Sequence, residues 1–503
     1  MSAMAYDYAD AIDAALRFFD ANRCGPDAGS GNVFSWRGAC HTSDGDVVGM
    51  DLTGGYHDAG DHVKFGLPQT WSASMLGWAL YEYKSYYDTN GLTTRMKRVL
   101  DYFINFFMKC HPNANTFYYG VGDGNADHGY WGPPENQTGT RPCRSAVGAD
   151  IAGQAAAALA LYYLNFGGSQ YLTAAQEIYT IGLNNLGRSD DGSGGNFYKS
   201  TSHFDDLGWG GIWLYYATGD SSYLDPIDAW LDVPNDSGDN HYQKQWAPAW
   251  DDVHLFVMLK LAEITGEQKY LDGVKWNLDW YANDLQKTPY GLPWLDSWGV
   301  LRYASSEAGL GYFAYKLCGY NGYVSTANLS MDYCLGSNPR NGSYVTNYLN
   351  NAPQHPHHRA NEPNRDGVTN GMVGALVGGP NNSDGYQDNV NDYTMNEVAI
   401  DYNAAFILGL SGRAYFASGG SAATPAPTPT PAPSTAPGNG DGLLGEYYLD
   451  RNFGTLDFTR VDPEINLNWG GGSPGGNMPI DSFSVRWTGT IEARITETYT
   501  FYT

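Results

Sequence analysis

Gly167-Gly-Ser-Gln-Tyr-Leu172, Gly219-Asp-Ser-Ser-Tyr-Leu224 and Gly266-Glu-Gln-Lys-Tyr-Leu271 share the pattern Gly-x-x-x-Tyr-Leu at spacings of 52 and 47 residues. Each copy follows a stretch with helical patterning. A glycine in this place ends one helix, a short turn follows, and the Tyr-Leu pair seats the next helix against its partner, so one copy marks one helical hairpin. Helical spacing recurs at Ile12, Leu16 and Phe19, at Met96, Val99, Leu100, Phe103 and Phe107, and from Asp252 to Ala262. Residues 1–418 have room for six such hairpins with long insertions, and six hairpins closed in a ring make an all-α (α/α)6 barrel. A straight solenoid would satisfy the same pattern. The Gly-rich stretches 119–135 and 361–392 are too long for structural connectors and read as a working face.

Beyond this domain, Gly419 to Gly442 reads GGSAATPAPTPTPAPSTAPGNGDG, a tract that cannot bury a core and is expected to be an extended spacer. From 443 to 503 the chain alternates and carries β-formers, as in Glu446-Tyr-Tyr-Leu, Phe483-Ser-Val-Arg-Trp and Thr498-Tyr-Thr-Phe-Tyr, which predicts a small all-β segment. That segment resembles the opening of PA14 domains in Gly-Leu-Leu-Gly-Glu-Tyr-Tyr at 442–448, Asn468-Trp-Gly and Phe483-Ser-Val-Arg-Trp-Thr-Gly; the resemblance implies that the sequence stops inside such a domain.

The chain of 503 residues carries a net charge of −26, so nucleic acid and anionic membranes are excluded as expected partners, while a neutral polymer is not. Aromatics reach 15%, a supply of flat ring surface well beyond what a core requires. No run approaches the length of a membrane span. The opening Met1-Ser-Ala-Met-Ala-Tyr-Asp-Tyr has no apolar signal core, which leaves a cytosolic protein or one whose export signal has been replaced. The Pro-Thr tract resembles linkers of secreted polysaccharide-degrading enzymes, and on that resemblance the protein is expected to be secreted. A monomer is expected. Cys24, Cys40, Cys110, Cys143, Cys318 and Cys334 are too sparse for a disulfide scaffold, and the last four show no evident pairing.

Two carboxylates three residues apart sit on a glycine-rich loop in Gly54-Gly-Tyr-His-Asp58-Ala-Gly-Asp61-His-Val-Lys-Phe65. Alone, they could be a helix cap and a surface acid. A second segment reads Tyr386-x-Asp388-x4-Tyr393-x3-Glu397-x-Ala399-x3-Asn403-Ala404, and a third runs from Gly336-Ser-Asn338 to His355-Pro-His357-His358-Arg359. Together these resemble the aspartate, glutamate and histidine motifs of family 9 glycoside hydrolases, over roughly Tyr6 to Ala417. The resemblance implies an (α/α)6 barrel and an inverting endo-β-1,4-glucanase acting on cellulose, with Asp61 as general base, Asp58 holding the nucleophilic water and Glu397 as general acid. Such chemistry needs one protonated and one ionised carboxyl, with their pKa values pushed apart by environment; Tyr393 and Tyr402 are candidate aromatic neighbours of Glu397. Inversion requires the pair to stand roughly 6.5–9.5 Å apart.

The resemblance places His357 and Arg359 against the glucose units flanking the cut. Sugar rings present apolar C–H faces, so a glucan cleft wants aromatic platforms. His128 and Trp131, Trp246 and Trp250, and Trp298 with Arg302 fall in segments similar to the family's cleft. Other β-glucans (mixed-linkage glucan, xyloglucan, glucomannan) or a non-catalytic carbohydrate-binding protein are the alternatives. Cys24, Cys40, His41 and His57 resemble a zinc site found in a subset of the family, against a Cys24–Cys40 disulfide. Ser202, Asp205, Asp206 and Asp251 resemble the family's calcium site, against a solvated acidic turn.

Overall fold

The computed structural model describes residues 6–189, 197–235, 238, 240–422, 442–463, 465, 467 and 469–489. They fall into two units, Met1–Ala426 and Pro427–Thr503. In the first, the principal helices are α1 (Tyr8–Ala21), α2 (Gly66–Glu82), α3 (Thr93–Cys110), α4 (Ala149–Phe166), α5 (Ser169–Asn184), α6 (Phe204–Thr218), α7 (Ile227–Leu231), α8 (His254–Thr265), α9 (Gln268–Asn283), α10 (Val300–Cys318), α11 (Val324–Leu335) and α12 (Ile400–Ala417).

The repeat glycines stand where the pattern requires them. Gly167, Gly219 and Gly266 follow α4, α6 and α8 with φ of +77°, +76° and +71°, a region that side chains disfavour. Tyr171 and Tyr270 then ride on α5 and α9. The middle copy differs: Tyr223 closes a 3-10 turn, Ser221–Tyr223, and only the five-residue α7 follows.

Six helices, α2, α4, α6, α8, α10 and α12, bury nearly every residue except at their C-terminal ends, and each packs on the next around a circle that α12 closes on α2. The outer helices lie against them in pairs, the last pair joining α12 to α1 from the other end of the chain. This closure makes the fold an (α/α)6 barrel and not a solenoid. At its axis Trp78 of α2 stacks on Phe313 of α10 at 3.8 Å and meets Trp209 and Phe256 edge-on, both at 5.0 Å. Outer helices are amphipathic, as read from Met96, Val99, Leu100, Phe103 and Phe107 on α3. The stretch 252–262 is not: α8 starts at His254 and is buried on all sides through Ala262, because it is an inner helix.

Residues at or just before the N-terminal ends of the inner helices line the cleft described below: Phe65 before α2, Tyr198 before α6, Trp250 before α8, Trp298 and Arg302 at α10, Glu397 and Tyr402 at α12. A small antiparallel sheet, β1 (Lys64–Phe65), β2 (Gly120–Val121) and β3 (Cys143–Arg144), ties the loop before α2 to the long insertion before α4.

In the second unit, β4 (Leu443–Tyr448), β5 (Leu456–Asp462) and β6 (Ser484–Thr488) form an antiparallel sheet in the order β5-β4-β6. Tyr447 Oη and Trp487 Nε1 both donate to the buried carboxylate of Asp462, at 2.6 and 2.7 Å. The strand expected at Thr498–Tyr502, Asn468 of the PA14-like pattern, and spacer residues 423–441 lie outside the described residues. Among the described residues, no helix is long and apolar enough to cross a membrane.

Candidate active site

The three motifs are stitched together through their backbones. Arg359 N donates to Gly60 O at 3.1 Å, His357 N to Asn396 O at 2.8 Å and Ile400 N to Asp58 O at 2.9 Å. The histidine segment reaches the aspartate loop only because position 60 lacks a side chain: a Cβ there would stand 2.2 Å from His357 O.

Asp58 and Asp61 are both buried. Asp58 Oδ2 accepts the hydroxyl of Tyr198, and Asp61 Oδ1 accepts Ala59 N at 3.1 Å. Their other oxygens, Asp58 Oδ1 and Asp61 Oδ2, are buried without a protein donor. Two such acceptors on one loop can take the two hydrogens of a single water. Burial first, then the neighbouring Asp61 and Asp401 carboxylates, push Asp58 well above the usual carboxylate range. Asp61 is raised by burial and by Asp127, with Arg359 and His128 opposing.

Glu397 ends a short helix, Tyr393–Asn396, and its Oε2 accepts Trp298 Nε1 at 2.6 Å and Tyr402 Oη at 2.9 Å. Burial raises its pKa, against these two bonds and the charge of Arg302. With Oε2 held by two donors, the proton of the neutral form belongs on Oε1. Of the two tyrosines expected beside this carboxyl, Tyr402 bonds to it, whereas Tyr393 is half-exposed, its ring 5.0 Å from Trp298.

A cleft of about 350 Å³ is lined by Asp58, Asp61 and Glu397 together with His128, Trp246, Trp250, Trp298, Arg302, His357, Arg359 and Tyr402. Trp131 and Tyr393 flank it instead, each edge-on to His357 at 5.1 and 6.0 Å. Phe65, Phe197, Tyr198, Asp296 and Tyr303 also line it and were missed in the sequence, because nothing in their local patterns separates them from core aromatics or a loop acid. Arg302 is anchored by Asp401 at 3.1 Å.

Cys24, Cys40, His41 and His57 place one donor atom each within 4.8 Å of the others; Cys24, Cys40 and His57 are buried and His41 is partly so. His41 Nδ1 lies 3.1 Å from His57 Nε2 and 3.6 Å from Cys24 Sγ. Tetrahedral zinc with bonds of roughly 2.0–2.3 Å sets its ligands about 3.3–3.8 Å apart, so the nitrogen–sulfur spacing suits that ion and the two imidazoles need part by only a few tenths of an ångström. The cysteines are free thiols, not a disulfide. Burial holds Cys24 well up, while its hydrogen bond brings Cys40 down to about 7, and burial with His41 nearby keeps His57 neutral.

In the second acidic group, the Asp205 carboxylate gathers with Asp252 and His254, while Asp251 presents its main-chain carbonyl to the Ser200 and Thr201 hydroxyls, at 3.3 and 3.4 Å. Burial, with Asp252 beside it, pushes the Asp251 carboxyl up to about 7. Ser202 O accepts the Ser200 hydroxyl at 2.6 Å. Asp205 Oδ1 and Asp206 Oδ2 remain buried without a partner, and burial with the adjacent Asp205 raises Asp206 strongly, an environment that fits a hard cation at this pair.

A family model for glycosyl hydrolase family 9 matches residues 8–410, and one for the PA14 domain matches 439–503. The chain is 38% identical to Endoglucanase A of Bacillus pumilus over 440 residues, covering 80% of this chain and 65% of that protein. It is 38% identical to Endoglucanase B of Cellulomonas fimi over 449 residues, 82% of this chain and 42% of the relative, so it spans less than two thirds of either. The crystal structure of the C. cellulolyticum cellulase Cel9M, also solved with cellobiose, superposes with a TM-score of 0.77 at 45% identity, covering 82% of this chain and 99% of that one. With the three motifs joined on one cleft at the end of an (α/α)6 barrel, the chain belongs to glycosyl hydrolase family 9.

Proposed function

We propose that the protein is a secreted endo-β-1,4-glucanase that cuts internal bonds of cellulose with inversion. The observation that carries this reading is the pairing, in one cleft, of Glu397 with the two donor-free oxygens of Asp58 and Asp61. Glu397, its pKa raised by burial, protonates the leaving glycosidic oxygen from Oε1. Asp61 accepts a proton from a water that Asp58 helps to hold, and the water attacks the opposite face of the anomeric carbon. Tyr198 fixes Asp58, and Trp298 and Tyr402 fix Glu397. The Trp246 and Trp250 rings, with His357 and Arg359, seat the sugar units of a neutral β-1,4-glucan chain. Relatives named endoglucanases and the cellobiose complex of the C. cellulolyticum cellulase support the substrate.

Zinc at Cys24, Cys40, His41 and His57 would brace the loop that carries Asp58, and calcium would neutralise Asp205 and Asp206. We assign residues 1–418 to the catalytic domain, 419–442 to a spacer and 443–503 to a PA14-like segment, with the protein acting as a monomer. The test is hydrolysis of soluble carboxymethylcellulose, following viscosity and reducing ends together, by wild type and Glu397→Gln. Viscosity falling much faster than reducing ends rise, with the variant slowed by about 10²–10⁴-fold, is expected. A wild type that leaves the polymer intact, or a fully active variant, would overturn it.

A further inference from the structure

Asp127 is a buried carboxylate that neither the aspartate nor the glutamate motif contains. It lies on the short helix Gly124–His128, one residue before the cleft histidine, and both its oxygens are in use. Oδ2 accepts Arg359 Nη1 at 2.5 Å and His62 N at 3.1 Å; Oδ1 accepts Gln137 Nε2 at 2.7 Å. Gln137 in turn accepts His41 through Oε1, at 2.9 Å from Nε2. His41 Nδ1 faces His57 Nε2, and His57 precedes Asp58 in the chain. A continuous run of hydrogen bonds thus leads from the Cys24–Cys40–His41–His57 cluster through Gln137 and Asp127 to the guanidinium of Arg359 in the cleft. A donor oxygen of Asp127 also stands within 4.8 Å of one on Asp61. With three N–H donors of its own already on it, Asp127 is poorly suited to ligate a metal there and well suited to act as a fixed charge.

We propose that Asp127 is a positioning residue: it aims the Arg359 guanidinium into the cleft and sets its own carboxylate beside Asp61, the residue that takes a proton from water. This rests on the hydrolase reading above. The groups facing Asp61 are Asp127, Arg359, His128, Ala59 N and, across the loop, Asp58. Neutralising Asp127 removes a repelling charge from beside Asp61, while any displacement of Arg359 takes away an attracting one; the Asp127 influence on Asp61 is the larger of the two, so the Asp61 pKa falls.

The experiment is the pH profile of kcat/KM on a soluble cello-oligosaccharide for wild type, Asp127→Asn and Gln137→Ala. In Asp127→Asn the acid limb is expected to move down by about one unit, and KM to rise about tenfold, more than kcat falls, as Arg359 loses its anchor. Gln137→Ala keeps the Asp127 charge, and its acid limb is expected to stay with the wild type. An unmoved limb in Asp127→Asn, or equal shifts in both variants, would overturn the proposal. A wild type inactive on every β-glucan would refute the hydrolase reading alone. The Asp127→Asn crystal structure then decides the anchoring claim, supporting it if the Arg359 guanidinium is displaced and refuting it if the guanidinium keeps its place.

Discussion

Glu307 stands midway along α10, an inner barrel helix, with no solvent exposure and no hydrogen-bond partner on either carboxyl oxygen. The hydroxyls of Tyr281 and Tyr323, whose titration it influences, are also buried without partners. Burial alone raises its pKa far above the carboxylate range. Such a group binds its proton more tightly folded than unfolded, so its contribution to stability is fully present below the unfolded pKa. That contribution is lost as pH rises from there to the folded pKa, at about 1.4 kcal/mol per unit. Between pH 5 and pH 7 the loss is about 2.7 kcal/mol while the folded carboxyl keeps its proton. An unfolding entropy of roughly 0.9 kcal/mol/K for about 400 residues converts this to about 3 °C in Tm. Glu307→Gln removes the titration and keeps the shape. Scanning Tm of both proteins from pH 4.5 to 8 is therefore expected to show the variant gaining on the wild type by about 3 °C between pH 5 and pH 7. Parallel curves would refute the reasoning, since they would mean that Glu307 titrates alike in the folded and unfolded states.

Tyr198→Phe removes the donor on Asp58 Oδ2 and raises that carboxyl further, so kcat on carboxymethylcellulose should fall about tenfold with KM little changed; an unaltered kcat would show that the bond is structural only. Cys40→Ser should purify without the roughly one equivalent of zinc expected in the wild type by elemental analysis, and with a lower Tm. Zinc-free wild type with Cys24 and Cys40 unreactive to thiol reagents would refute the metal assignment. Because burial raises both Asp61 and Glu397, both limbs of the pH–rate profile should lie above those of ordinary carboxylates, activity appearing as Asp61 ionises and vanishing as Glu397 does. Glu397→Gln should abolish the alkaline limb in its residual activity.

Local signals made part of this legible. The Gly-x-x-x-Tyr-Leu copies could be read because a helix-ending glycine is a requirement of one residue's backbone, and Gly167, Gly219 and Gly266 meet it. Ring closure could not, because it depends on α12 packing between α1 and α2, residues that begin and end the domain. The second copy misled for a related reason: the six residues encode the turn, while the length of the helix that follows depends on what comes next, and α7 ends after five residues. In the cleft, Asp58, Asp61 and Glu397 stand in patterned segments. Tyr198 and Asp127, which hold Asp58 and Arg359, sit in stretches whose meaning exists only across 140 and 232 residues of chain. Trp298, read as a platform, lines the cleft, and its ring edge also donates to the acid, a bond that only the position of the α10 start reveals.

Gly60 shows how tightly such long-range terms constrain a local residue. Its φ is not in the left-handed region, so backbone freedom does not explain the glycine. The reason lies some 300 residues away, where His357 O would be 2.2 Å and His358 Cα 2.8 Å from any Cβ. These are main-chain atoms of the segment that Gly60 O holds through Arg359 N, so they cannot rotate aside. Gly60→Ala must push the histidine segment off the aspartate loop. That would shift His357 and Arg359 away from Asp61 by about 1 Å, a misplacement of the size that costs about 100-fold in rate. The protein should still fold, since the clash sits in loops at the barrel mouth and not among the inner helices. A kcat/KM on cello-oligosaccharides within threefold of wild type would show that the placement of the histidine segment does not govern catalysis; a loss near 100-fold with a Tm within a few degrees is the expected result.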